Sequence, residues 1–176
     1  MITSDLARVP RTVTDSTPYD VGLLLIRLAV GLIMFVHGVQ KLFGWFDGGG
    51  IEGTGGFFTK AGYPAGESMA LIAGLTETLG GLGLIVGLLT PLAAAGIFGV
   101  MINAMDVKWT GSVFGEQGIE FESLLAVSAA AVAIAGPGRF AADRYVPVLR
   151  DHRMVYGIGA LALATVLAVA VVLVRN

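Results

Sequence analysis

Residues 21–43 read VGLLLIRLAVGLIMFVHGVQKLF, a long apolar run that also contains Arg27, His37 and Lys41. A run of about 20 mostly apolar residues is long enough to cross the hydrocarbon core of a bilayer as a helix. Charged side chains within such a helix are costly in lipid, so they nearly always turn inward, towards partners or water. This run therefore predicts a membrane-spanning helix whose polar residues face other parts of the protein.

The composition of the whole chain also indicates a membrane protein. Of the 176 residues, 55% are hydrophobic and 14% are charged, which is too much apolar surface for the interior of a soluble domain. The net charge of −2 gives no electrostatic case for binding nucleic acid. The chain has no cysteine, which excludes thiolate metal sites and thiol redox chemistry by its own residues. With only two histidines, it lacks the paired ligands that a haem or copper site needs.

The apolar residues fall into five runs, and each predicts a membrane-spanning helix. The expected fold is therefore an all-α, polytopic membrane helix bundle. The second and third runs are joined only by Thr90 and Pro91, a break that forces an antiparallel hairpin. The fifth run has no polar residue beyond Thr165 and is typical of an appended anchor. The predicted spans cover residues 21–43, 68–89, 91–105, 121–135 and 155–174.

The distribution of basic residues predicts how these spans are oriented, because cytoplasmic flanks are enriched in lysine and arginine. With five spans, the N-terminal tail, the 90–91 turn and the 136–154 loop share one side. That side holds six arginines, whereas the other side holds four basic residues diluted by acidic ones. We therefore expect a cytoplasmic N-terminus and an extracytoplasmic C-terminus. The six arginines are Arg8, Arg11, Arg139, Arg144, Arg150 and Arg153.

The chain is thus expected to have three parts: a polar cytoplasmic tail (1–20), a four-helix membrane domain (21–147), and a cytoplasmic linker with the fifth helix (148–176). Within the four-helix domain, an extracytoplasmic loop is expected at 47–66. The glycines in the first part of this loop are expected to exclude a helix or strand. The next residues, Phe57 and Phe58, form an apolar pair. This loop is either flexible, or a short interfacial or re-entrant segment that covers the bundle.

Helical periodicity places the polar residues of the first span on one face. At about 100° per residue, Arg27, Gly31, Gly38 and Lys41 form one stripe, with His37 at its edge. Glycines on the same face allow a neighbouring helix to approach closely. This face is therefore expected to pack against the rest of the bundle.

The second span supplies a partner for this face. Glu77 lies near its middle, flanked at helical spacing by Gly74 and Gly81. We predict an ion pair between Arg27 and Glu77 in the bundle interior, since their expected depths differ by only about 5 Å. This pair either fixes the register of the helices or takes part in proton or redox chemistry.

The outer half of the bundle is expected to gather further polar residues. His37 and Lys41 lie near this level, together with Asn103 of the third span and Glu120 beside the fourth. If these residues converge with Glu77, they form a polar pocket beneath the glycine-rich loop. Simpler interpretations are packing for His37, interfacial anchoring for Lys41 and a solvated charge at the span edge for Glu120.

Three stretches of the chain together resemble the signature stretches of the DoxX family. They are RLAVGLIMFVHGVQKLFG, LTETLGGLGLIVGLLTP and GIEFESLLAVSAAAVAIAGPGRFAAD, in the expected order and spacing. The resemblance covers about residues 21–147. It implies a small four-helix protein of the bacterial inner membrane, to which this chain adds a fifth span. By similarity, the positions of interest are Arg27, His37, Lys41, Glu77 and Glu120.

The resemblance also implies a function, because DoxX proteins are similar to the membrane subunit of thiosulfate:quinone oxidoreductase. They are otherwise associated with oxidative-stress and sulfur-handling assemblies. On this interpretation His37 and Lys41 bind a quinone, and both act with Glu77 as catalytic residues. Because the sequence has no haem, flavin, metal or nucleotide motif, the electrons are expected to come from a partner.

Two alternatives stay open at the level of the sequence. In the first alternative, the chain is a non-catalytic membrane scaffold that docks soluble redox enzymes. In the second, it is a small-molecule or proton permease. Five spans without a visible inverted repeat are few for a lone transporter. The expected partners are the lipid bilayer and other membrane or soluble redox proteins, with a homo-oligomer left open and nucleic acid excluded.

Overall fold

The computed structural model describes residues 16–175, and in that part of the chain the fold is all-helical, without β-strands. The predicted all-α class is confirmed. Most of the predicted cytoplasmic tail, including Arg8 and Arg11, lies outside the described residues. The helices are α1 (Thr17–Phe43), α2 (Gly50–Lys60), α3 (Gly66–Val86), α4 (Thr90–Lys108), α5 (Glu120–Ala135) and α6 (Met154–Leu173), with a short 3-10 helix (Ala142–Tyr145) before α6.

Within the described residues, four helices are long and apolar enough to cross a membrane: α1, α3, α4 and α6. The remaining bundle helix, α5, has 16 residues, a length of about 24 Å at 1.5 Å per residue. It packs against both α4 and α6. Each predicted span therefore coincides with one helix of the bundle, and α5 is shorter than the hydrocarbon core. The chain is a polytopic membrane protein whose long helices contact lipid.

The bundle has two ends, which hold different parts of the chain. The N-terminal end holds the start of α1, the turn between α3 and α4, and residues 136–153. There the Arg139 amide donates to Asp20 Oδ1 at 2.9 Å. The distal end holds α2, residues 109–119 and the end of α6, where Arg175 Nη1 lies 2.7 Å from Asp106 Oδ2. The segments that the sequence predicted to share a side of the membrane therefore share an end of the bundle.

Glycines bring α1 and α3 into close contact. A Cβ added at Gly31 would lie 2.8 Å from the Gly81 carbonyl oxygen, and one added at Gly81 would lie 2.7 Å from the Gly31 carbonyl oxygen. Any larger side chain at either position would push the two helices apart. The close approach predicted from the glycine face of α1 is confirmed.

The core of the bundle lies between α1, α3, α4 and α5. Its fully buried side chains are mostly aliphatic, and they pack against one another. Among them are Met34, Leu84, Ile97, Ala129 and Val132.

The segment predicted as a loop at 47–66 contains α2. The expectation that its glycines exclude a regular element is wrong, because α2 begins at Gly50. Its packing gives the reason: a Cβ added at Gly55 would lie 2.8 Å from Glu67 Cα, so the missing side chain lets α2 lie directly on the start of α3. Tertiary packing thus outweighs the low helix propensity of glycine.

Candidate functional site

An ion pair joins α1 to α3 near the distal end of the bundle. Lys41 Nζ donates to Glu77 Oε2 at 2.7 Å. The Glu77 side chain is 2% exposed and the Lys41 side chain is 21% exposed. A charge-assisted hydrogen bond of this length is strong, and it neutralises a carboxylate that would otherwise be buried alone. Lys41 therefore links a buried acid to a surface that a ligand can reach.

That surface is an open cleft of about 380 Å³ between α2 and the end of α1. His37 and Lys41 form part of one wall. The opposite wall comes from α2 and includes Thr54, Phe57 and Phe58. The volume lies in the range of small-molecule sites, which combine apolar walls with a few polar groups.

His37 presents one ring nitrogen that its own helix does not use. Its Nδ1 lies 2.9 Å from the Ile33 carbonyl oxygen. Because a carbonyl oxygen can only accept, Nδ1 carries the hydrogen, and in the neutral ring Nε2 is then the proton-accepting atom. The ring also lies 6.3 Å from the ring of Phe121, measured between centroids, which connects α1 to α5. His37 therefore lines the cleft and keeps one ring nitrogen that its own helix does not bind.

Two residues predicted to share this pocket lie elsewhere. The Asn103 amide nitrogen donates to the Gly99 carbonyl at 3.1 Å, and its side-chain oxygen lies 3.5 Å from the Tyr63 hydroxyl. Glu120 is exposed and accepts from the Gly115 amide at 3.4 Å. Neither residue lines the cleft. The predicted convergence is therefore wrong for both residues: Asn103 contacts its own helix and the Tyr63 hydroxyl, and Glu120 contacts the loop before α5.

Arg27 is fully buried and binds backbone carbonyls at the N-terminal end. Its Nε donates to Leu84 at 3.0 Å, and its Nη1 donates to Pro137 at 2.7 Å and to Phe140 at 2.9 Å. The predicted ion pair between Arg27 and Glu77 is wrong. Since α1 and α3 are antiparallel, Arg27 lies beside the end of α3, about 10 Å along that helix from Glu77 at 1.5 Å per residue.

Asp143 is a buried residue at the same end that the sequence interpretation missed. Its carboxylate accepts from the Leu89 amide at 2.7 Å and from the Thr90 amide at 2.9 Å, and so caps the start of α4. It also holds Leu89 in a left-handed conformation, with φ of 51°, which a non-glycine residue rarely adopts. One feature of the sequence could have indicated Asp143: it is the last residue of the third signature stretch and the only acidic residue of that stretch after its apolar run.

A second ion pair that the sequence interpretation missed lies at the distal end. Lys108 Nζ donates to Glu122 Oε1 at 2.7 Å and ties α4 to α5. Glu122, rather than Glu120, is therefore the buried acid at the start of α5. Helical spacing could have indicated this, since Glu122 lies three and four residues before the buried Leu125 and Ala126.

Two sets of polar residues differ in what they contact. Arg27 and Asp143 bind backbone groups at the N-terminal end and hold helices and turns together. Lys41 and His37 border an open cleft at the distal end, where the remaining donors of the ammonium group and the free ring nitrogen can bind a ligand. The cleft is the candidate functional site.

Comparison with known proteins identifies the family. The DoxX family model matches residues 22–111, slightly more than half of the chain. The chain belongs to the DoxX family. It is also 32% identical over 129 residues to a Bacillus subtilis (strain 168) protein described as "Putative oxidoreductase CatD", an alignment that covers 73% of this chain and 89% of the relative. No solved structure matches this DoxX protein.

The DoxX match includes the cleft but leaves out the C-terminal part of the chain. His37 and Lys41, which line the cleft, lie within residues 22–111, as do α2 and Glu77, which does not line the cleft but pairs with Lys41. Asp143 and α6 lie beyond it. The residues that border the cleft therefore belong to the part of the chain that the family model describes, whereas α6 is outside that part.

Proposed function

We propose that this DoxX protein is an inner-membrane component of a redox assembly and that its cleft binds the ring of a quinone. Family membership supports a redox-associated role in the membrane, as does the relative whose description names an oxidoreductase. The resemblance of the sequence to a quinone-linked membrane subunit suggests the class of ligand. We assign the electrons to a partner protein, since no cysteine is available in this chain to carry them.

The observation that carries this proposal is the chemistry of the cleft walls. Lys41 uses one of its three N–H groups for Glu77, so another can donate to a ligand carbonyl on the open side. Phe57 and Phe58, across the cleft, offer flat apolar surfaces against which a ring can pack. A polar donor on one wall and aromatic rings on the other fit a planar ring that carries carbonyl groups. A quinone bound there would supply two-electron redox chemistry.

The same residues can handle the protons that such chemistry requires. Reduction of two carbonyls to hydroxyls consumes two electrons and two protons. His37 can hold one proton on Nε2 and release it at the cleft wall. Lys41 can release a second and regain a proton from water that reaches the open cleft, while the Glu77 carboxylate favours its charged form.

Retention of quinone by the purified protein tests this function. We expect the full-length chain, extracted from its membrane, to carry quinone that solvent extraction and mass analysis detect. A short-chain ubiquinone analogue added to the purified protein should bind about tenfold more weakly after Lys41→Met or His37→Ala, because each change removes one polar contact.

Lys60→Met is the matched control, since Lys60 is an exposed lysine of α2 that does not line the cleft. Its binding of the analogue should equal that of the wild type. A wild-type protein that binds no quinone, or variants that all bind it equally, would overturn the proposal.

A scaffold that docks a soluble redox enzyme is the second candidate, and the surface of residues 136–153 favours it. Tyr145 is 86% exposed and Val148 is 88% exposed, in a segment that also carries four arginines. Exposed aromatic and aliphatic side chains beside arginines are typical of protein interfaces. If quinone-dependent turnover in membranes survives His37→Ala but falls after Tyr145→Ser, the scaffold function replaces the catalytic one.

A further inference from the structure

Arg175, the second residue after α6, reaches back over the distal end of the bundle. Arg175 Nη1 lies 2.7 Å from Asp106 Oδ2 near the end of α4, and both side chains are about one-third exposed. The guanidinium carbon of Arg175 also lies 5.9 Å from the centroid of the Tyr63 ring. This distance is within the range of a cation–π contact. The far end of α6 is therefore attached to a residue between α2 and α3.

Tyr63 connects this attachment to the cleft. Its side chain is buried, with 5% exposed, and its ring centroid lies 5.4 Å from that of Phe58, which lines the cleft. The Tyr63 amide donates to the Phe58 carbonyl at 2.9 Å. The Tyr63 hydroxyl lies 3.5 Å from Asn103 Oδ1 on α4. A continuous series of contacts thus runs from Arg175 through Tyr63 to Phe58. We refer to Phe57 and Phe58 as the aromatic wall of the cleft.

The backbone of α2 is fixed separately, because Gly55 and Thr59 pack against the start of α3. The middle of α2 is fixed where Gly55 meets the start of α3. One helical turn further on, Phe58 packs between Phe57 and Tyr63, and Phe57 is itself 54% exposed. Tyr63 is therefore the buried side chain against which the aromatic wall rests.

We propose that α6 positions the aromatic wall of the cleft: Arg175, held by Asp106, fixes the ring of Tyr63, which in turn fixes Phe58. Arg175 and Tyr63 are positioning residues, because neither lines the cleft. The identity of the ligand rests on the proposed function, whereas the coupling between α6 and the wall does not. Loss of the contact between Arg175 and Tyr63 widens the cleft and weakens ligand binding. It does not change His37 and Lys41, the groups that handle protons.

Thiol labelling measures this coupling directly, because the chain has no cysteine of its own. Thr54→Cys places a single thiol in the α2 wall of the cleft. In the purified full-length protein, adding Arg175→Met should raise the rate of labelling about fivefold or more, the factor for an interaction of about 1 kcal/mol. Asp106→Asn should act in the same direction. Arg175→Lys should restore a slow rate, since an ammonium group can still pair with Asp106.

Two controls separate this effect from general loosening of the protein. Thr110→Cys places the thiol in the exposed 109–119 segment at the same end, and its labelling should not respond to Arg175→Met. Arg150→Met removes an exposed arginine, 3.8 Å from Asp151 at the N-terminal end, and should leave Thr54→Cys labelling unchanged. An unchanged rate at Thr54→Cys in Arg175→Met, or an equal rise at both thiols, would overturn the inference.

Quinone kinetics distinguish this inference from the proposed function. In the quinone-dependent reaction, Arg175→Met should raise KM several-fold while kcat is retained, because the proton-handling groups are untouched. If the wild type binds no quinone but the labelling rates change as expected, the proposed function fails and the positioning role of α6 stands.

Discussion

Lys41 and Glu77 form a 2.7 Å ion pair that ties the distal part of α1 to the middle of α3. Glycines flank this pair on both helices: a Cβ at Gly38 would meet the backbone of Thr78, and one at Gly74 would lie 2.7 Å from Leu42 Cδ2. The pair therefore forms where the two backbones are close enough for a lysine to reach the neighbouring helix. Because Glu77 is buried and Lys41 is partly exposed, the contribution of the pair to stability comes mainly from neutralising the Glu77 carboxylate.

Removal of Lys41 alone should destabilise the fold strongly. Lys41→Met leaves the Glu77 carboxylate buried without a partner, and we expect a loss of about 3–5 kcal/mol in the free energy of unfolding. Lys41→Met combined with Glu77→Leu should cost less than the sum of the two single changes, because no charge is left uncompensated. Chemical unfolding of the purified protein measures all three, and Lys60→Met should lie within about 0.5 kcal/mol of the wild type. Additive losses would show that the pair contributes no coupling.

Arg27 should behave independently of Glu77. Arg27→Met removes the donor from carbonyls of α3 and of residues 137–140, so it should also destabilise the fold. Because the two sites are about 10 Å apart and share no partner, the losses of Arg27→Met and Glu77→Leu should add within about 0.5 kcal/mol. Arg27→Lys should not restore stability, since one ammonium group cannot reproduce the fork of guanidinium donors. A clear coupling energy between Arg27 and Glu77 would contradict this arrangement.

Asp143 should stabilise the turn between α3 and α4. Asp143→Ala leaves the amides of Leu89 and Thr90 without their acceptor, and we expect a loss of about 2 kcal/mol, at the upper end for a helix N-cap. Asp143→Asn keeps one side-chain oxygen and should cost less. Asp151→Asn is the control, because Asp151 is exposed in the same segment and binds neither amide. Equal effects of Asp143→Ala and Asp151→Asn in an unfolding titration would count against the capping role.

The number and type of the bundle helices could be predicted from the sequence because they depend on the length of apolar runs. The glycine face of α1 could be predicted as well, since the spacing of Gly31 and Gly38 fixes their direction on a helix. The partners of Arg27 could not, because every residue carries a carbonyl and the sequence does not mark which of them face inward. Helix α1 also starts at Thr17, four residues before the predicted span, so positions counted from residue 21 were offset by about 6 Å.

The arrangement of side chains at the distal end depends on how each helix is rotated about its own axis. The helical periodicity of the sequence does not give this rotation. His37 and Lys41 share one helix, so their common placement at the cleft followed from spacing within α1. Asn103 and Glu120 lie on other helices, and their direction depends on how those helices are rotated about their axes. Helix α2 was missed because its formation depends on the contact of Gly55 with α3 rather than on local propensity.

Ionisation of Tyr63 should weaken the fold at alkaline pH. Burial raises the pKa of the Tyr63 phenol above its ordinary value, and Asp106 acts in the same direction, whereas Arg175 opposes the shift. In the unfolded chain the phenol ionises near its ordinary pKa of about 10, so above that pH the unfolded state holds fewer protons than the folded state. Stability is therefore unaffected by this group below about pH 10 and falls as the pH rises through the higher pKa of the folded state.

Thermal unfolding of Tyr63→Phe measures this contribution. The fall in the unfolding midpoint between about pH 8 and about pH 10.5 should be smaller in this variant than in the wild type. Tyr145→Phe serves as the control, because Tyr145 is almost fully exposed and should keep the wild-type fall. An identical fall in all three proteins would rule out Tyr63 as the titrating group.

Reporter fusions should place the two ends of the bundle on opposite sides of the membrane. Residues 136–153 and Arg175 lie at opposite ends, joined by the 20 residues of α6. The arginines of the 136–153 segment favour the cytoplasm, so we expect a fusion at residue 144 to report the cytoplasm and fusions at residues 112 and 176 to report the outside. Comparison of the fusions at residues 112 and 144 tests whether α5 crosses the membrane, since its 16 residues make it shorter than the four long apolar helices. A fusion at residue 176 that reports the same side as residue 144 would show that α6 does not cross the membrane. In that case Arg175 could not reach Tyr63 in the bilayer, and the positioning of the cleft wall by α6 would fall with it.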